Sequence, residues 1–269
     1  MAHRIKIIGL LRFSVLTPTY YSERFDTLDA IAEHIYSPER MALRFHLFEN
    51  LCLPSLAHQS DRDFDCVILT GERLPAEHRT RLEDLLAPYP HLHLRAAGTE
   101  KHYALLKDGY NSIDLGPASH KALFRLDDDD AVDLDFIART RTRAEGLLAL
   151  QDPKTPTIIA YNRGFYVHRK DGEDNEVFDA VERAPLSTGT TLLAPVDYPR
   201  NPYRYVHRAL AQHYTTYSDI SVPAFIRTIH GDNKSNPTQM GLTHKMPAPR
   251  IRKALMKYFG RSLAEMKAL

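Results

Sequence analysis

The segment Lys121–Asp127 (KALFRLD) is an apolar run that empties into four consecutive carboxylates, Asp127–Asp130. Neighbouring charges of one sign repel by about 1 kcal/mol per pair at 4 Å even in bulk water, and by more near a protein surface. A solvated turn tolerates that repulsion. A strand leaving a core does not, unless a cation or a phosphate–metal unit gathers the oxygens. In an extended chain Asp127 and Asp129 would share one side and Asp128 and Asp130 the other. The pattern therefore predicts an oxygen-ligand site, suited to Mg²⁺ or Mn²⁺ bridged to substrate phosphates, at the carboxyl end of a buried strand.

The rest of the first half alternates strand and helix signals. Ile5–Leu11, Phe64–Thr70 and His91–Ala96 read as further strands. Ser37-Pro38-Glu39 reads as a helix start, with Leu43, Leu47 and Leu51 on one face and Pro54 kinking or ending it. Pro75 opens a second helix that Pro88 stops, and a third spans about Leu134 to Leu150. Strands and helices in this order, joined by short connections, predict an α/β fold with a mostly parallel central sheet and helices on both faces. In such sheets ligands collect at the carboxyl ends of the strands, where the aspartates lie.

The second half is less regular. Thr157–Arg169 reads as one or two strands, Lys170–Asn175 as a polar turn, Thr190–Ala194 as a strand, Tyr203–Tyr214 as a helix and Val222–Ile229 as a last strand. Directly after it comes His230-Gly231-Asp232-Asn233-Lys234-Ser235-Asn236. A polar loop at a strand end is where binding residues concentrate. His230 is a candidate metal ligand, and Asn233 and Lys234 are candidate contacts to phosphate or sugar. We expect one large domain over residues 1–248 and a basic helical tail over 249–269. In the tail, Ile251, Leu255, Phe259 and Leu263 recur every four residues among Arg250, Arg252, Lys253, Lys257, Arg261 and Lys267. Such a helix either packs on its own domain or contacts a membrane surface peripherally.

Composition narrows the partners. With 35 basic and 34 acidic residues the net charge is +1, which lacks the basic excess of a nucleic-acid binder. Cys52 and Cys66 sit in apolar surroundings and read as reduced, buried thiols rather than a secreted disulfide framework. The N-terminal apolar run is interrupted by Lys6 and followed by Arg12, so it reads as a strand, and the cytoplasm is the expected location.

FENLCLPSLAHQS (Phe48–Ser60), FDCVIL, FRLDDDDAVDLDFI (Phe124–Ile137) and HGDNKSN (His230–Asn236) together resemble the putative rhamnosyltransferase family, a GT-A-like group similar to family-2 glycosyltransferases. The resemblance covers most of the chain. It implies a metal-dependent transfer of a sugar from a nucleotide-diphosphate donor to a hydroxyl acceptor such as a saccharide. It further implies an inverting outcome and a role in cell-surface polysaccharide synthesis. Carried onto this sequence, Asp127 would face the donor's ribose or sugar, with Asp128 beside it, while Asp129 and His230 would bind Mn²⁺ or Mg²⁺. Asp219 would be the catalytic base, with Asp179 and Asp232 behind it. Arg12, at the end of the first strand, and Arg125 are candidate diphosphate contacts, since a guanidinium fork suits phosphate. One feature departs from the family pattern: the second strand ends Thr70-Gly71-Glu72, where an Asp usually helps to hold the base. Two other readings share the aspartates. A haloacid-dehalogenase-like phosphotransferase carries its Asp-x-Asp on the first strand rather than mid-chain. A non-catalytic nucleotide-sugar or cation-binding protein of the same fold would not cleave a donor.

Overall fold

A computed structural model describes residues 3–19, 21–170, 172–231 and 241–269. Strands β1 (Ile5–Arg12), β2 (Asp65–Gly71), β3 (Leu92–Ala97) and β4 (His120–Asp127) form a parallel block. Strands β1, β2 and β4 are apolar runs buried on both faces, as central parallel strands are, whereas β3 at the sheet edge is only partly buried. In β1, Ile7 and Leu11 join one cluster with Met41, Phe45 and Phe136, whereas Ile8 and Leu10 join another with Leu105, Leu106 and Tyr110. Helices therefore cover the sheet on both sides, as the sequence predicts.

Three further strands complete a seven-stranded sheet of order β10-β6-β9-β4-β1-β2-β3. They are β6 (Thr157–Tyr161), β9 (Thr191–Pro195) and β10 (Thr215–Asp219), and β9 runs antiparallel between β4 and β6. A second sheet of order β12-β8-β7-β11-β5 packs beside it. It holds β5 (Ala131–Val132), β7 (Arg163–His168), β8 (Glu176–Val181), β11 (Phe225–Ile229) and β12 (Leu242–Thr243). The stretch read as one or two strands over Thr157–Arg169 is thus two, and they belong to different sheets.

Helix α1 (Leu28–Ile35) has a Thr27 cap whose hydroxyl accepts from the Ala30 N–H, 3.1 Å away. Helix α2 (Pro38–Leu47) starts at the predicted Pro38. Pro54 does not end the helical path. The chain widens into one π-helical turn at Phe48–Cys52 and continues as α3 (Leu53–Ala57). Proline cannot donate to the carbonyl four residues back. That carbonyl, on Asn50, instead accepts from the Arg261 guanidinium at 2.9 Å. Helices α4 (Ala76–Leu86), α5 (His102–Asn111) and α6 (Phe136–Leu150) complete the covering layers. The helix expected over Tyr203–Tyr214 is only a 3₁₀ turn, His207–Gln212. Leu210 and Tyr214 pack against Ile158 and Ala160, while Val206 is exposed, so no continuous apolar face extends back to Tyr203.

The tail forms α7 (Ala248–Phe259) and α8 (Leu263–Ala268), broken where Gly260 adopts φ 64°, a left-handed conformation that glycine reaches without a Cβ penalty. A capping box between Ser262 and Glu265 starts α8. Ile251, Leu255 and Phe259 are buried among Leu47, Leu51, Phe165 and Ile226. The apolar face that a membrane surface would need is therefore taken up by the protein's own body, which corrects the expectation of peripheral membrane contact. Among the described residues no helix is long and apolar enough to cross a membrane.

Candidate active site

Strand β4 delivers Arg125 and Asp127 to its carboxyl end, and there the chain turns. The Asp130 N–H donates to the Asp127 carbonyl, 3.2 Å away. The alternation expected for an extended Asp127–Asp130 segment is lost in that turn, and all four carboxylates line one cleft. Each is met by a different element. Arg12, ending β1, pairs with Asp127. Arg44 of α2 bridges Asp128 (3.0 Å) and Asp129 (2.7 Å). His230, directly after β11, places Nε2 2.9 Å from the second Oδ of Asp129. Asp130 accepts from the Thr188 hydroxyl and from the Thr228 N–H at 3.2 Å. Mutual repulsion is thus answered by cations and donors brought from distant parts of the sequence.

The run does not carry four equal charges. Burial opposes ionisation at every position, and the neighbours decide the outcome. At Asp127 the Arg12 guanidinium outweighs burial and holds the carboxyl at about 2. At Asp129, Arg44 and then the hydrogen bond from His230 outweigh it, and the carboxyl falls well below the usual range. At Asp128 burial prevails over Arg44, with Asp129 adding repulsion, and the pKa rises to about 7. Burial and Asp129 push Asp130 well up. Two carboxylates are firmly ionised, and two resist ionisation.

The cleft holds about 540 Å³, within the range of small-molecule sites, and opens at the carboxyl ends of β1 and β4. Arg12, Arg40, Arg44, Arg125 and Arg227 line it, so cations outnumber the ionised aspartates. Arg125 is only 7% exposed. Its guanidinium lies 4.1 Å from the centre of the Tyr203 ring, with a backbone carbonyl, Pro202, at 3.5 Å. No acid among the described residues lies within salt-bridge distance of it. Arg12 lies 5.4 Å from the same ring. The Tyr203 hydroxyl donates to the Leu10 carbonyl at 3.2 Å, tying this platform to β1.

Of the residues singled out in the sequence, Arg12, Arg125, Asp127, Asp128, Asp129 and His230 come together here. Asn233, Lys234 and Asp232 lie outside the described residues. Asp219 does not join them. It ends β10, the edge strand of the large sheet, with β6 and β9 standing between it and β4. Its carboxylate is held by Arg143 at 3.0 Å and by the Ser221 hydroxyl and N–H. It closes a turn, so its assignment as catalytic base is corrected. Asp179 accepts the N–H groups of Lys245 and Met246, again a structural task. Arg40, Arg44, Arg227, Tyr203 and His207 line or support the cleft without having been singled out. Only Arg40 and Arg44 left a trace, as two arginines one turn apart on a helix that buries Met41 and Phe45.

As a metal site, Asp129 and His230 offer an oxygen and a nitrogen donor side by side, and the buried second oxygen of Asp128 has no partner among the described residues. Those donors suit Mn²⁺ or Mg²⁺ in kind. Among the described residues no three His, Cys, Asp or Glu side chains converge to hold an ion by themselves. An ion here would share its coordination with substrate phosphate oxygens, as Mg²⁺ commonly does.

A family model described as Putative rhamnosyl transferase matches residues 6–242. No curated protein matches the chain. Among solved structures, Staphylococcus aureus (S. aureus) TarS 1-349 matches at 11% identity and TM-score 0.43, over 83% of this chain and 60% of that one. The same fragment in complex with UDP matches at 9% identity and TM-score 0.37, again over 83% and 60%. The 4-diphosphocytidyl-2C-methyl-D-erythritolsynthase from Anaerococcus prevotii DSM 20548 matches at 9% and 0.37, over 80% and 86%. At such scores the likenesses are too distant to bear on this chain's chemistry.

Proposed function

This chain belongs to the Putative rhamnosyl transferase family, and from that premise we propose that it is a glycosyltransferase that moves a sugar from a nucleotide-diphosphate donor to an acceptor hydroxyl in the cleft beside Asp127–Asp130. The observation that carries the reading is the convergence of the acidic turn and the arginines in one cleft at the carboxyl ends of β1 and β4.

Departure of a nucleotide diphosphate leaves negative charge on the leaving oxygens, and fixed cations aimed at that charge lower the barrier. Arg12 and Arg125, held on Tyr203, serve that purpose, and Arg125 is ready for an anion because no acid among the described residues engages it. Asp127, kept ionised by Arg12, accepts hydroxyls of the ribose or sugar. Asp128 neighbours it in the same wall. Asp129 and His230 would hold Mn²⁺ or Mg²⁺, which supplies Lewis-acid stabilisation of the diphosphate. The outcome we propose is inversion, in the service of cell-surface polysaccharide synthesis. A cytoplasmic setting suits the two free, buried thiols Cys52 and Cys66.

The test is thermal unfolding with UDP, GDP and dTDP, each with and without Mn²⁺. At a hundredfold excess over Kd a ligand adds about 2.7 kcal/mol, at roughly 2–4 °C per kcal/mol for a chain of this size. At least one nucleotide should stabilise the protein only with metal, and Asp129→Ala should abolish that shift. A shift that ignores both the metal and the substitution would contradict the reading.

A further inference from the structure

Any transfer to a hydroxyl needs a group that takes the hydroxyl's proton, and each carboxylate of the cleft already holds a cation or a donor, with the second oxygen of Asp128 left open among the described residues. Asp127 is bound by Arg12, Asp128 and Asp129 by Arg44, Asp129 also by His230, and Asp130 by Thr188 and Thr228. Asp219 stands three strands away from β4. His207 is differently placed. It opens the 3₁₀ turn beside exposed Val206, and both residues line the cleft. Its Nδ1 lies 2.7 Å from the Pro185 carbonyl. A carbonyl can only accept, so Nδ1 carries the hydrogen, and in the neutral ring Nε2 holds a lone pair. No described side chain or backbone group bonds that Nε2.

A second observation marks the same end of the cleft. Ser187, two residues beyond Pro185, is 4% exposed and lines the cleft, yet its hydroxyl has no partner among the described residues. A buried hydroxyl without a partner carries a desolvation penalty that a polar ligand would lift.

We propose that His207 is the catalytic base of this glycosyltransferase, with Ser187 hydrogen-bonding the acceptor beside it. The inference rests on the transfer reading above. The acceptor O–H bond breaks and its proton goes to His207 Nε2. The acceptor oxygen forms a bond to the anomeric carbon, whose bond to the diphosphate oxygen breaks with the electron pair leaving on the diphosphate. The Pro185 carbonyl then faces an imidazolium, which it stabilises through the bond it already accepts.

The charge environment fits a ring that is neutral before the substrate arrives. Burial, and then Arg125, draw the His207 pKa down to about 4, with Arg227 and Arg208 acting in the same direction. A diphosphate bound at Arg125 would offset that repulsion and make the ring a stronger base when the donor is in place.

The experiment follows nucleoside-diphosphate release from UDP-, GDP- and dTDP-sugars with Mn²⁺ present and water as acceptor, using the full chain. His207→Asn should lower release by roughly 100-fold or more, the usual worth of a positioned base, while the nucleotide-induced thermal shift stays at its wild-type size. Imidazole added to His207→Ala should restore part of the lost rate in proportion to its concentration. Release by His207→Asn within about 3-fold of wild type, or a His207→Ala rate deaf to imidazole, would overturn the assignment while leaving the transferase reading standing. A wild-type protein that releases no diphosphate from any donor overturns both.

Discussion

The large sheet carries charged hollows at both ends, and they differ less in size than in what they do to their charges. At the carboxyl end the cleft holds about 540 Å³, and at the amino end a shallow depression of about 630 Å³ is lined by Arg4, Lys6, Asp63, Asp65 and His93. Both contain carboxylates facing cations. At the amino end Lys6 and His93 meet Asp65 at 2.5 and 2.6 Å, with His93 40% exposed. In the cleft the side chains of Arg44 and Asp129 are 9% and 6% exposed. Solvent screens the first set and is nearly excluded from the second. A charge cluster alone therefore says little; burial of the cluster marks the working end.

Several measurements would sharpen or break that contrast. The largest effect should come from Arg44→Ala, which takes away the arginine that bridges two buried carboxylates. We expect a loss of about 3–5 kcal/mol in urea unfolding, the cost of leaving a buried charge uncompensated. A loss below about 1 kcal/mol would place the cleft in the same class as the amino end. A smaller effect is expected from Asp65→Asn, at most about 1 kcal/mol as for an exposed pair. Its pH dependence has a definite sign. Partial burial works against the Asp65 charge, but Lys6 and His93 hold its pKa below the normal value. That stabilisation is present above the unfolded value near pH 4 and fades as pH falls through the lowered folded value. Wild type and Asp65→Asn should thus converge in stability once the pH has fallen below that lowered folded value. The smallest difference should be in salt response. With the Debye length near 3 Å at about 1 M salt, the coupling between Lys6 and Asp65 in a double-mutant cycle should vanish, whereas that between Arg44 and Asp129 should survive.

The same division between local and assembled features governs what could be read from the amino-acid sequence. Strands β1, β2 and β4 were legible because central parallel strands are continuous apolar runs. Helix α5 was not. Its Gly109 and Asp108 weaken any helical signal, and Gly109 lies close to β1, where an added Cβ would come within 2.6 Å of the Leu10 Cδ1. Strands β6 and β7 read as one stretch because only Asn162 separates them, and nothing local says that successive strands enter different sheets. In the cleft, the aspartates, Arg12 and Arg125 announce themselves as charges at the ends of apolar runs. Arg44 does not, because it lies 84 residues from Asp128 and only the fold makes them neighbours. Asp219 misled for the converse reason: a strand-end aspartate looks the same whether it serves chemistry or, as here, closes a turn with Ser221.

The bond from Arg261 to the Asn50 carbonyl has a consequence for biosynthesis. The helix bearing Arg44 runs on into a turn whose open acceptor is filled by a residue made 211 positions later. A nascent chain must leave that carbonyl to water until α7 has emerged from the ribosome and docked. The wall that carries Arg44 would then reach its final rigidity only after Arg261 has been made and has docked, well after the acidic turn it faces.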